Sequence, residues 1–194
     1  YVGSDQEGYP GFGASYLQEL ELSVQTDGSK LWHHLYGFPQ VGMSFYYGGL
    51  GNDSLYGKLH GWVPYMQLPL INKPKSKLLL KMGLGFAWFN RPFDLQDNRM
   101  NVLIGSQLTN LSVGAIRWEY QLAPQWRSSA SFTFSHCSNG HSRLPNLGMN
   151  APSVSLGLRY IPARIAPMAP KEALPGPERK LLVHLRAGIG EHQY

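Results

Sequence analysis

The chain has 194 residues, of which 43% are hydrophobic, 12% aromatic and 15% charged, with a formal net charge of +5. Many aromatics and few charges exclude a disordered chain, and the Ala/Glu/Lys/Leu/Arg richness of a coiled coil is missing. No run of about 18 apolar residues exists, which excludes a transmembrane helix but not a membrane β-barrel, whose strands carry only about 10 alternating residues each.

Two further classes lose ground on composition. The single cysteine, Cys137, excludes an internal disulfide and makes a thiolate zinc site implausible. The basic balance has no Lys/Arg-dense run suited to nucleic acid. Its densest stretch, Lys73 to Lys81, reads as a loop with solvated lysines.

Gly or Pro interrupts nearly every stretch longer than a dozen residues, so helix signals are thin. Period-two alternation recurs instead. Near the start, Leu20, Leu22 and Val24 oppose Glu19, Glu21, Ser23 and Gln25. His33 and His34 fall in a polar turn ahead of a second strand, 41–47, where Val41, Met43, Phe45 and Tyr47 share a face. Segment 59–71 is strand-like but less regular. In 78–88, Leu78, Leu80, Met82, Leu84, Phe86 and Trp88 share one face, with Leu79 off pattern. In 107–122, Ile116, Trp118, Tyr120 and Leu122 oppose Arg117, Glu119 and Gln121. Leu111 and Val113 are out of phase there, and a bulge near Gly114 would restore the register. The strand 126–138 follows the tight connection Ala123-Pro124-Gln125. In 153–161, Val154, Leu156, Leu158 and Tyr160 form the apolar face.

Residues 162–179 hold several prolines and read as an extended linker. Beyond it, Leu181, Val183, Leu185, Ala187 and Ile189 alternate with His184, Arg186 and Gly188. The expected organisation is therefore a β-barrel domain over 1–161, a linker over 162–179 and an additional strand in 180–194. That strand either closes the barrel or begins a further part.

The buried face decides the fold class. The polar face is mostly Ser, Gly, Thr and Gln with an occasional pairable charge, which suits the crowded interior of a small barrel. The apolar face carries large residues with aromatics toward its ends, which suits a lipid band; Trp32, Trp62 and Trp88 read as interfacial belt residues. The pattern predicts an all-β fold: a small antiparallel up-and-down transmembrane β-barrel of about eight strands, lipid-facing outside. A soluble sandwich or lipocalin-like barrel is the competing architecture.

Chemistry concentrates at the end of the 126–138 strand. By alternation His136 and Ser138 lie on the apolar, outward face at its rim, roughly 6–7 Å apart at Cα, so an imidazole can reach the hydroxyl it would activate. Asn150 has the outward parity of Val154 and Leu156. A metal site on His136, Cys137 and His141, or on His33 and His34, finds no support, since alternation sends His136 and Cys137 to opposite faces.

His136-x-Ser138-Asn139, followed after five residues by Pro145-Asn146-x-Gly148 and an outward-alternating strand, resembles the signature of the lipid A 3-O-deacylase (acyloxyacyl hydrolase, PagL-type) family. The resemblance implies an outer-membrane barrel whose active site lies on its outside wall, removing an ester-linked acyl chain from lipid A of lipopolysaccharide in the outer leaflet. Carried over residue by residue, it implies Ser138 as nucleophile, His136 as general base, and Asn139 and Asn146 as oxyanion-hole donors. It implies no cofactor and no metal. The family's pattern places a glutamate where this chain has Asn150, so Asn150 is a weaker orienter of the imidazole and reduced activity is expected. Glu119 and Asp94 are candidate substitutes, although parity puts Glu119 inside the barrel. Arg143, beside the proposed site, is a candidate for phosphorylated lipid. The rival reading is a non-catalytic barrel, an anchor or interaction platform with a decayed triad.

Overall fold

A computed structural model describes residues 13–162. Seven antiparallel strands follow one another in a single sheet in simple chain order. They are β1 (Tyr16–Gln25), β2 (Gln40–Gly49), β3 (Lys58–Asn72), β4 (Ser76–Phe89), β5 (Leu108–Ala123), β6 (Trp126–Ser138) and β7 (Met149–Tyr160). The predicted strand in 180–194, the linker, and the question of how the expected domains divide all fall outside the described residues.

The connections divide the sheet into two unequal rims. At one rim lie the longer loops 50–57, 90–107 and 139–148; at the other, the short turns 73–75 and 124–125. The second rim also carries 26–39, which holds a five-residue helix, α1 (Leu31–Leu35).

Side-chain parity holds along the strands except at the register shifts between Pro69 and Ile71 and between Gln121 and Ala123. Leu20, Leu22, Leu84, Phe86, Trp118, Phe132, Val154 and Leu156 all stand exposed on the outer surface. Aromatic rings gather at both ends of this band, as in a membrane barrel. Tyr47, His60 and Trp88 pack together toward the long-loop rim, while Trp118 meets Tyr120 and Trp126 meets Tyr160 toward the other. Trp32 instead sits half-buried on α1 against His33.

The concave side is layered. Toward the long-loop rim it is apolar, with Tyr46, Leu59, Val63, Phe89, Leu111, Val113 and Cys137 in one buried cluster. Farther down it is charged and paired. Lys81 reaches Glu19, Glu21 and Ser44, Arg117 grips Glu21 with both terminal nitrogens, and Arg159 pairs with Glu119 at 2.9 Å. Burial of these charges is tolerable only because each meets an opposite charge.

Several expectations change. The Lys73 to Lys81 stretch, read as a loop with solvated lysines, is a loop only as far as residue 75; Lys77 and Lys81 lie on β4, and Lys81 is buried. Leu111 and Val113 are not displaced by a bulge at Gly114, because the β4–β5 and β5–β6 registers run unbroken through that residue. They face inward like Arg117 and Glu119, into the apolar layer, so a polarity change along one face mimicked a change of phase. The irregularities lie elsewhere, between Pro69 and Ile71 and between Gln121 and Ala123. His33 and His34, expected in a polar turn, lie on α1 and are buried. The Gly28 N–H donates to His33 Nδ1 at 3.1 Å, and His34 Nε2 contacts the Gly28 carbonyl at 2.7 Å, so the pair fastens the β1–β2 connection.

Candidate active site on the outer wall

β6 delivers His136 and Ser138 outward, between inward Ser135 and Cys137, which are buried. The flanking outward residues of the same strand, Phe132 and Phe134, are 56% and 48% exposed, so the two polar groups stand at the upper edge of an apolar surface. In the ladder, His136 has Ser112 of β5 on one side and Asn150 of β7 on the other.

The imidazole is oriented from β7. His136 Nδ1 lies 2.8 Å from Asn150 Oδ1. An amide oxygen only accepts, so the Nδ1–H donates and Nε2 keeps its lone pair, the tautomer a general base needs.

Ser138 is held from the 139–148 loop. Its Oγ accepts from Asn146 Nδ2 at 3.0 Å and from the Gly140 N–H at 3.2 Å. Among the described residues no hydrogen bond joins His136 to Ser138, a separation common before substrate arrives. Gly148 keeps the space between them open. It has φ +74°, and a Cβ there would sit 3.6 Å from His136 Cε1 and 3.7 Å from Ser138 Cβ.

Asn139 stands apart from Asn146 in its partners. Its Nδ2 donates to the Arg143 carbonyl at 2.8 Å and to Ser106 Oγ at 3.2 Å, which commits both amide hydrogens to the loop. The donors aimed at Ser138 are thus Asn146 and the Gly140 backbone. Gly140 was invisible in the motif because a backbone N–H carries no side-chain signature.

The 90–107 loop braces the site from behind. The Leu147 and Gly148 N–H groups donate to the carbonyls of Val102 and Leu103 at 3.0 and 3.1 Å. Gly105 allows the close approach, since a Cβ there would meet the Pro145 and Arg143 carbonyls at 2.3 and 2.5 Å.

The remaining candidates lie elsewhere. Glu119 is buried inward on Arg159. Asp94 is exposed, and its carboxylate is held below the usual range by the Asp97 and Gln96 N–H groups and by Arg143. Its hydrogen bonds go to those two N–H groups rather than to His136. Arg143 is exposed and lines a shallow depression with Asp94 and Asp97. His141 is exposed, and Cys137 is buried on the opposite face from His136. Among the described residues no three His, Cys, Asp or Glu side chains gather to hold a metal.

Below His136 the outer wall carries a shallow, open groove of about 610 Å³. Ser112 and Gly114 form its floor, with Met66, Met82, Leu84 and Phe134 at its sides. The floor is low because Gly114 has no side chain, and a Cβ built there would point into open space with nothing within 4 Å.

An up-and-down antiparallel sheet with an apolar outer band, aromatic ends and a charged, paired interior defines a small membrane β-barrel of the outer-membrane class. Its hydroxyl and imidazole face outward at one rim. The lipid A 3-O-deacylase (PagL) family model matches residues 18–159, and the chain belongs to that family. The crystal structure of the outer membrane enzyme PagL is similar in fold, with a TM-score of 0.52 at 19% identity over 77% of this chain and 94% of that one. No curated protein matches the chain.

Proposed function

We propose that this chain is an outer-membrane esterase that removes an ester-linked acyl chain from lipid A by a Ser–His mechanism. The family description puts the ester at the 3-O position, and that position is the one carried over here. The observation that carries the reading is the outward placement of Ser138 and His136 at the head of an apolar groove on the lipid side. A water-soluble substrate has no use for such a groove, whereas an acyl chain lying along the wall would bring its ester to the rim.

In the proposed reaction His136 Nε2 takes the proton as Ser138 Oγ attacks the acyl carbonyl carbon. The carbonyl oxygen becomes an oxyanion between Asn146 Nδ2 and the Gly140 N–H, which already converge on Oγ. Collapse expels the sugar alkoxide, which recovers the proton from His136, and leaves the acyl group on Ser138. Water activated by the same imidazole then releases the fatty acid and restores the hydroxyl. Asn150 fixes the ring without contributing a charge, so the imidazolium is less stabilised than beside a carboxylate. Asn139 acts as a brace for the loop, and Arg143 as an exposed contact for lipid phosphate.

One observation favours a second reading, the non-catalytic barrel: the uncharged Asn150 coincides with an Oγ that bonds to Asn146 and Gly140 but not to His136. Incubating the detergent-folded chain with lipid A and following free fatty acid by mass spectrometry separates the two. Release by the wild-type chain and not by Ser138→Ala is expected. Equal release from both, or none from either, removes the hydrolase reading.

A further inference from the structure

Two outward residues of β5, Asn110 and Ser112, have no part in the reaction above. At the level of Ser138, the outward row on β1 to β4 reads Leu20, Phe45, Trp62 and Phe86, and β5 then presents Asn110. At the level of His136 the row reads Leu22, Met43, Pro64 and Leu84, and β5 presents Ser112. Four strands thus offer lipid only carbon at both levels. β5 breaks the pattern twice in succession, beside the nucleophile and beside the base.

The two polar residues are joined. Ser112 Oγ donates to Asn110 Oδ1 at 3.0 Å, and Asn110 Nδ2 donates to the Gly85 carbonyl at 3.2 Å. The serine's one hydrogen is therefore spent, and what its Oγ still offers is acceptor capacity. An acceptor set in an apolar wall is costly unless something donates to it. His136 does not, because its Nδ1 is committed to Asn150 and among the described residues no hydrogen bond joins it to Ser112.

Ser112 and His136 are direct register partners and line the same groove. The Cβ atoms of such partners stand ~4.5–5.5 Å apart, a gap that one water bridges between their polar tips. The proposed reaction needs a water in that place. Once the sugar alkoxide has left, the acyl group on Ser138 must be attacked from a surface that faces hydrocarbon, where water is scarce. Asn110 is exposed at the rim and Ser112 lies one row below it, so the pair forms a polar step from the rim down to the imidazole.

We propose that Ser112, held by Asn110, positions the water that hydrolyses the acyl-Ser138 intermediate. The proposal rests on the hydrolase reading and deepens it. The water donates one hydrogen to Ser112 Oγ and the other to His136 Nε2. As its oxygen bonds to the acyl carbon, Nε2 takes the second proton. The bond from that carbon to Ser138 Oγ then breaks, Oγ recovers the proton from His136, and the fatty acid leaves. Attack by Ser138 itself uses no water, so Ser112 serves the second half of the reaction and not the first.

Pre-steady-state kinetics test it, with the full-length chain in detergent micelles and p-nitrophenyl dodecanoate as the ester. The burst of nitrophenol reports acylation and the steady phase reports turnover. In Ser112→Ala the ratio of burst rate to steady rate is expected to rise at least about tenfold over wild type, with acyl-protein accumulating on Ser138 by mass mapping. Ser112→Thr keeps the hydroxyl and is expected to return the ratio to the wild-type value. A Ser112→Ala chain that slows both phases equally, or accumulates no acyl-protein, overturns the proposal and leaves the hydrolase reading standing. So does a threonine variant as impaired as the alanine one. Nitrophenol release that is the same in Ser138→Ala as in wild type removes the hydrolase reading, and this proposal falls with it.

Discussion

His136 Nδ1 stands 2.8 Å from Asn150 Oδ1, and the two residues are direct register partners across the β6–β7 ladder. The pairing fixes the tautomer and ring plane of the imidazole but gives its protonated form only a dipole. Asn150→Asp supplies the missing charge, and its kcat on lipid A is expected to rise about tenfold or more, with KM little changed. Asn150→Leu removes the acceptor and should lower kcat about tenfold. Initial rates of fatty acid release for the three proteins check both directions, and equal rates would detach Asn150 from the chemistry.

Asn146 is 5% exposed and spends its amide on Ser138 Oγ. Asn146→Ala removes one of two donors at the place where negative charge would develop. A loss of about 10²–10³ in kcat is expected, with folding checked by unchanged migration in unheated gels. Asn139→Ala acts through the Ser106 and Arg143 contacts instead. It should loosen the loop, raising KM together with a smaller fall in kcat.

Gly114 lies in the outward row between Met82 and Phe134. A leucine there fills the groove from a position where a Cβ meets nothing within 4 Å, so the fold should accept it. Gly114→Leu is expected to raise KM for a long-chain ester about tenfold and to leave hydrolysis of a short-chain ester unchanged. Equal effects on both would show that the acyl chain lies elsewhere.

Glu21 accepts from both Arg117 and Lys81 in the barrel interior. Glu21→Leu leaves two buried cations short of a partner, and unfolding stability in urea should fall by about 3–5 kcal/mol. The KM for lipid A should not move, because these charges face away from the outer wall.

Much of this was legible in the primary structure, for reasons that differ between elements. A strand exposes its parity directly, so the outward placement of Leu20, Phe86 and Leu156, and of His136 and Ser138 at the rim, could be read from alternation. Inward Leu111 and Val113 could not, because the interior changes from charged to apolar along a single face. α1 was hidden by its length, since five residues give no helical periodicity. The Gly140 N–H and the bracing of the site loop by Val102, Leu103 and Ser106 depend on how two loops meet. No spacing rule within one segment encodes that meeting.

The central claim is that His136 makes a nucleophile of Ser138 on the lipid side of the wall. A long-chain alkyl fluorophosphonate offered in detergent micelles reports on this directly, because it bonds only to an activated hydroxyl. Mass mapping of the labelled protein should find the adduct on Ser138, and none should form in His136→Ala. Labelling that persists without the imidazole, or that falls on another residue, would contradict the account.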